Sequence, residues 1–182
     1  MNNDNKNDTI EPVISEKKIY TGKFINLTVQ TVETGSGYSQ RELVVHPGTV
    51  SLILITDDDR LVMSRIYRKS VERYSLEVLT KRISSAENHF DIIKDDLTSN
   101  VGYKVEEIKP VFTFYNAISY SNENVFMYLA KAKKIGEGDE NEEAKIVEVP
   151  ISKLSEPMYK DEIIDAKSII AVGYLQMQYK KD

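Results

Sequence analysis

The stretch Leu76 to Tyr103, LEVLTKRISSAENHFDIIKDDLTSNVGY, limits what the chain can become more than any other. It reads as strand, loop, helix and turn. Ser84 and Glu87 have capping-box spacing, which places a helix start just after Ser84. Phe90, Ile93 and Leu97 fall on one helical face and are assigned to the core. Asn100 and Gly102 supply the stop, because helices commonly close on a residue in the left-handed region. Glu87, Asp91, Asp95 and Asp96 lie away from the apolar face.

The rest of the chain reads as strands around this stretch. Residues 1–14 form a polar tail expected to be disordered, since it holds too little apolar surface to fold. Lys18 to Tyr20, Ile25 to Val32 and Arg41 to Val45 are expected strands, the last two joined as a hairpin through Gly35, Ser36 and Gly37. This antiparallel extension, residues 15–46, is too small to stand alone. It must pack on the following domain, residues 47–182, or on a second chain. Val50 to Ile55 reads as a buried strand, and Leu61 to Tyr67 as its neighbour across an acidic turn. Val105 to Tyr115 is a strand interrupted by Pro110, which confines it to an edge or a bulge. The loop Asn116 to Glu123 leads into a strand from Asn124 to Lys131. An acidic loop from Gly136 to Glu143 precedes a strand from Ile146 to Val149 and a short helix or turn from Lys153 to Tyr159. A terminal helix is expected over Asp161 to Tyr179, with Ile164, Ile169, Val172 and Leu175 as its apolar positions.

Composition excludes several classes. With 182 residues and 41% hydrophobic content the chain can bury one real core. A net charge of −5 without a basic block argues against a general nucleic-acid binder, which needs clustered cations to neutralise phosphates. The absence of Cys removes disulfides, thiol nucleophiles and thiolate metal sites. The first residues lack the apolar region of a signal peptide, and no apolar run approaches the roughly 20 residues of a membrane span. A cytoplasmic protein without a membrane partner is the expectation.

The stretch Leu76 to Tyr103 resembles the Nudix box, the loop-helix-loop signature of the Nudix hydrolases. Laid on that pattern without a gap, Lys81 takes the first Gly and Glu87 the first Glu. Asp95 takes the Arg position, Asp96 the next Glu, and Ser99 and Asn100 stand where a pair of Glu belongs. Gly102 is the closing Gly. The flanks resemble one branch, the ADP-ribose pyrophosphatases. They share Arg41-Glu42, His46-Pro47-Gly48, an acidic turn at Asp57 to Asp59, Arg65, Tyr67 and Arg68 of an Arg-Gln-Tyr-Arg run whose Gln is Ile66 here, and Asp165-Ala166-Lys167 with the apolar run after it. The likeness extends from about Lys17 to Gln178. It implies an α/β (α+β) fold: the Nudix α/β/α sandwich with a mixed sheet, preceded by the small antiparallel extension. It also implies a homodimer built through that extension.

The same resemblance implies pyrophosphate cleavage aided by Mg²⁺, which wants a shell of hard oxygens. Of the box carboxylates at positions 96, 99 and 100, only Asp96 remains. Asn100 offers a neutral amide oxygen and Ser99 a hydroxyl. Each carboxylate beside a divalent ion contributes on the order of a few kcal/mol, so two losses weaken binding roughly 10²–10⁴-fold. Lys81 adds a positive charge near the same place. The candidate metal ligands are therefore Asp96, Glu87 and, weakly, Asn100. Glu87, Asp91 and Asp95, four residues apart, could instead hold a displaced ion or simply form a solvated helix face. The resemblance assigns the water-activating carboxylate to the acidic loop, at Glu142 or Glu140. It assigns ligand binding to Arg68, Glu77, Arg41, Tyr120 and Glu123. Arg68 and Glu77 read equally well as a structural ion pair. Tyr67, Tyr74 and Tyr120 could stack on a base or only pack. His46 serves its turn.

Three functions fit these residues. The first is a Nudix-type protein that binds a nucleotide or nucleoside diphosphate sugar, with hydrolysis weak or lost. The second is an active Mg²⁺-dependent pyrophosphatase with a rearranged site. The third is a dimeric interaction module with no small ligand. The cofactor is Mg²⁺ if hydrolysis survives and otherwise none.

Overall fold

Alternation in the central strand decides the architecture. In β4 (Thr49–Thr56) every residue is buried, so both faces of the strand must be covered. Val50, Leu52 and Leu54 point to one apolar cluster, and Ile53 and Ile55 to another. The first cluster is closed by Ile92, Ile93 and Leu97 from the helical segment ahead of Gly102. The second is closed by Ile163, Ala171, Val172 and Leu175 from the C-terminal helical region. The result is a sheet between helices. The structure, a computed structural model, describes residues 10–84, 88–138 and 144–179, the side chain of Asp96 excepted.

The sheet has six strands: β4, β5 (Arg60–Arg68), β6 (Arg73–Arg82), β7 (Tyr103–Tyr115), β8 (Asn124–Lys134) and β9 (Ala144–Pro150). Their order is β7-β8-β4-β6-β5-β9. Only β4 and β8 run parallel, so the sheet is mixed. The first half of β4 pairs with β6, from Thr49↔Arg82 to Leu52↔Leu79, while Leu54 and Ile55 pair with β5. β7 lies at an edge and shifts register between Pro110 and Phe112, as a residue without an N–H requires.

A separate three-stranded antiparallel sheet precedes it, formed by β1 (Val13–Thr21), β2 (Asn26–Thr34) and β3 (Gly37–Val45). Thr34↔Gly37 closes the β2–β3 hairpin as the sequence suggests. β1 begins at Val13, two residues before the expected boundary.

The segment after β6 departs from expectation. Helix α1 (His89–Asp91) starts five residues beyond Ser84. Asn88 caps it, its side chain accepting from the Phe90 N–H at 2.8 Å. A short polar side chain just ahead of the apolar residues competed with Ser84 for the cap, and Asn88 holds it. Glu87, the partner expected of Ser84, lies outside the described residues. The helix then widens into π geometry over Ile92–Thr98 and ends in a 3-10 turn, Ser99–Val101. Lys94 O accepts from the Ser99 N–H and from the hydroxyls of Thr98 (2.8 Å) and Ser99 (2.6 Å). Two adjacent hydroxyl residues bonding back to one carbonyl stabilise the wider turn. The late start and wider turn change which residues face the sheet. Ile92 is buried, whereas Phe90 is 46% exposed and packs edge to face with Tyr128.

Gly102 closes the segment with φ +82, the left-handed stop that its position suggests. A Cβ there would lie 2.4 Å from Gly136 O, so this turn packs directly on the chain leading to the acidic loop.

Helices α2 (Ser155–Tyr159) and α3 (Ala166–Tyr179) complete the fold. α3 starts later than Asp161, which sits at φ +53 and cannot begin a helix. Asp165 caps it, accepting from the Ser168 N–H at 3.0 Å and the Ser168 hydroxyl at 2.8 Å. Ile169 faces solvent, and Ser168 takes the inner face with Ala171, Val172 and Leu175; its Oγ accepts from Val78 N.

Candidate functional site

β5 and β6 run antiparallel with Ser64 opposite Glu77. Arg68, at the end of β5, pairs with Arg73 on the same face, and its long side chain reaches back along β6 to Glu77. The Arg68 Nε donates to Glu77 Oε1 at 2.8 Å and Nη2 donates to Oε2 at 2.5 Å. Glu77 is only 3% exposed, so its carboxylate depends on this two-pronged partner. The bond to Glu77 holds the Arg68 guanidinium above its ordinary value, against the opposing effect of burial. The pair is structural, and it also lines a cavity.

This first cavity, about 430 Å³, lies between the β5–β6 hairpin, the start of β4 and the N-terminus of α3. It gathers Arg68, Glu77, Arg82, Glu123, Asp165 and Lys167. Lys167 is buried and donates to Asp165 Oδ1 at 2.5 Å. Glu123 arrives on the loop after β7. That loop is clipped to β3: Val44 N donates to Tyr120 O at 2.8 Å and His46 N to Asn122 Oδ1 at 2.8 Å. Thr49 and Asn116 then donate to the two oxygens of Glu123, at 2.7 and 3.0 Å. Ser75 also lines the cavity, and its buried hydroxyl has no partner among the described residues. His46 stands by the same entrance. Its Nδ1 accepts from Gly48 N at 3.1 Å, so the neutral ring carries its proton on Nε2. Burial pushes its pKa down; Glu123 acts to raise it, while Arg82 and Lys167 lower it.

A second cavity of about 510 Å³ adjoins the first and shares Arg68, Thr80 and Arg82 with it. It is bounded by the helical segment through Leu97, Asn100 and Val101, and by Ala144 and Ile146 of β9. Ala144 is the first described residue after the acidic loop. Glu140 and Glu142 lie outside the described residues, as does Glu87.

Of the ligand-binding candidates, Arg68, Glu77 and Glu123 come together. Arg41 and Tyr120 line neither cavity. Arg41 is held by Glu11, through Nε at 2.9 Å and Nη2 at 2.5 Å, and by Ser39 at 2.7 Å. Tyr120 contributes its backbone to the β3 clip and leaves its ring exposed. Tyr67 and Tyr74 pack edge to face at 5.4 Å, with Arg65 over the Tyr74 ring. Sequence reasoning missed Arg82, Lys167, Thr49 and Asn116. The run Asp165-Ala166-Lys167-Ser168 carried a signal, because Asp followed three residues later by Ser has helix-cap spacing.

Two of the three box positions offer no anion to a divalent ion. Ser99 commits its hydroxyl proton to Lys94 O. Asn100 reaches the second cavity with a neutral amide. Asp96 alone keeps a carboxylate among the three. Among the described residues no three His, Asp or Glu side chains gather as a metal site. No helix there is long and apolar enough to cross a membrane.

Comparison with known proteins agrees with this architecture. No family model matches the chain. The ADP-ribose pyrophosphatase of Bacillus subtilis is 30% identical over 173 residues, covering 92% of this chain and 94% of its own. The methanol dehydrogenase activator of Bacillus methanolicus matches with the same identity and coverage. The GDP-mannose pyrophosphatase of Salmonella paratyphi B is 28% identical over 95 residues, half of each chain. A crystal structure of an ADP compounds hydrolase superposes with a TM-score of 0.76 at 17% identity, covering 95% of both chains, which establishes the fold. From these relatives, the mixed sheet and the helix-lined cleft, the chain belongs to the Nudix superfamily, in its ADP-ribose pyrophosphatase-like branch.

Proposed function

We propose that this protein binds a nucleotide or nucleoside diphosphate sugar in the paired cavities, and that pyrophosphate hydrolysis is weak or lost. One observation carries the reading. A polar cleft of ligand size, held open by Arg68–Glu77 and by Glu123, stands beside a helix whose ion-binding positions are Ser99 and Asn100. Binding and catalysis are separable here, because the charged groups that line the cavities are not those assigned to Mg²⁺, and Asn100, which borders the second cavity, is neutral.

The test uses ADP-ribose and GDP-mannose, the compounds named for the relatives. At about 100 times its Kd a bound ligand stabilises the fold by about 2.7 kcal/mol. For a chain of this size that raises the melting temperature by roughly 5–10 °C. Release of AMP from ADP-ribose with Mg²⁺ is expected to stay near background. Fast Mg²⁺-dependent release would replace this reading with an active hydrolase using Asp96, Glu87 and Glu142. No thermal shift with either compound would leave an interaction module.

We also propose a homodimer formed through the N-terminal sheet. Every residue of β1 is exposed, including Val13, Ile14, Ile19 and Tyr20. An apolar edge strand left open is a template for a second chain. Light scattering is expected to give the mass of two chains, and Ile19→Asp to shift it toward one. A monomeric wild type would exclude the dimer.

A further inference from the structure

Two of the three cations in the first cavity are already matched. Arg68 is bound by Glu77, and Lys167 by Asp165. Arg82 has no carboxylate partner among the described residues. Its guanidinium instead sits over the ring of Phe24, in the β1–β2 turn, with its central carbon 4.2 Å from the ring centroid. Stacking on a ring fixes the plane of a guanidinium while leaving its N–H donors available at the edge. Arg82 also occupies the seam, since it lines both cavities. On the second side it is joined by Arg68, and no carboxylate is among the described residues lining that cavity.

We propose that Arg82 binds the diphosphate of the ligand, and that this fixed cation lets a nucleoside diphosphate bind with no divalent ion present. The inference rests on the nucleotide-binding reading above. The diphosphate crosses the seam at Arg82, with the two organic groups in the cavities on either side. A planar fork matches phosphate oxygens in two-point contact, which a lysine cannot reproduce. Phe24 keeps the fork in place, so little side-chain freedom is lost on binding.

Calorimetry in EDTA tests the proposal, with ADP-ribose and GDP-mannose as probes and adenosine and guanosine as phosphate-free controls. Arg82→Gln is expected to weaken the diphosphate compounds about 10- to 100-fold, the scale of a lost charged hydrogen bond. Arg82→Lys should fall between the two. Binding of the nucleosides should not change between wild type and Arg82→Gln. Arg82 is exposed, so the ligand-free melting temperature of each variant should match wild type. Equal affinity in wild type and Arg82→Gln would overturn the proposal. So would a wild type that binds only when Mg²⁺ is added, and that outcome would leave nucleotide binding itself intact. Failure of every probe, with and without Mg²⁺, would remove the nucleotide reading and this inference together.

Discussion

Replacing Ser99 and Asn100 together by glutamate is expected to raise Mg²⁺ affinity by roughly 10²–10⁴-fold. Two carboxylates would join Asp96 on the edge of the helical segment. Ser99→Glu also removes a hydroxyl that donates to Lys94 O, one of three bonds supporting the wide turn. The helix would then lose part of what favours π geometry. Isothermal titration with Mg²⁺ measures the first effect, and AMP release from ADP-ribose measures whether chemistry follows. A double variant with unchanged Mg²⁺ affinity would mean that the cavity, and not two side chains, excludes the ion.

Arg68→Ala is expected to destabilise the protein by about 2–4 kcal/mol. Removing one partner of a buried ion pair typically costs about 3–5 kcal/mol, because the other charge is left without a partner. The Arg68 side chain is 42% exposed, so water can reach part of the site and the lower range applies. In a chain of this size the melting temperature should fall by roughly 5–15 °C. The double variant Arg68→Ala, Glu77→Gln should recover much of the loss, since a neutral amide does not need the guanidinium. A single variant that melts within about 1 °C of wild type would show that Glu77 finds another partner. Ligand binding should also fail in Arg68→Ala, because the side chain lines both cavities.

The strands were legible because their signals are local. The apolar run in β4 announced burial on both faces, and Pro110 announced an edge with a register shift. The helical segment after β6 was harder. Three polar residues, Ser84, Ser85 and Asn88, compete for one cap, and only packing of Ile92 and Ile93 selects Asn88. Phe90 satisfied a 3.6-residue period that the late start and the wide turn moved out of phase, and Ile169 lies one residue past the inner face that Ser168, Ala171, Val172 and Leu175 define. At the site, Arg68 and Glu77 were legible from the resemblance; the antiparallel register puts them on one face, and the length of the Arg68 side chain closes the gap. Arg82 and Lys167 were not. They lie 85 residues apart in number, and neither gives a local signal that the other stands across the same cleft.

The clip between β3 and the loop after β7 has a mechanical consequence. The groups that fasten the loop to β3, on Tyr120 and Asn122, lie three residues and one residue from Glu123, which Thr49 and Asn116 anchor in the cleft. A displacement of β3 is therefore carried to the mouth of the cleft through hydrogen bonds that have little slack. A partner on the N-terminal sheet and a ligand in the cleft would share this clip, and any effect of one on the other's affinity is reciprocal, with the same factor in both directions.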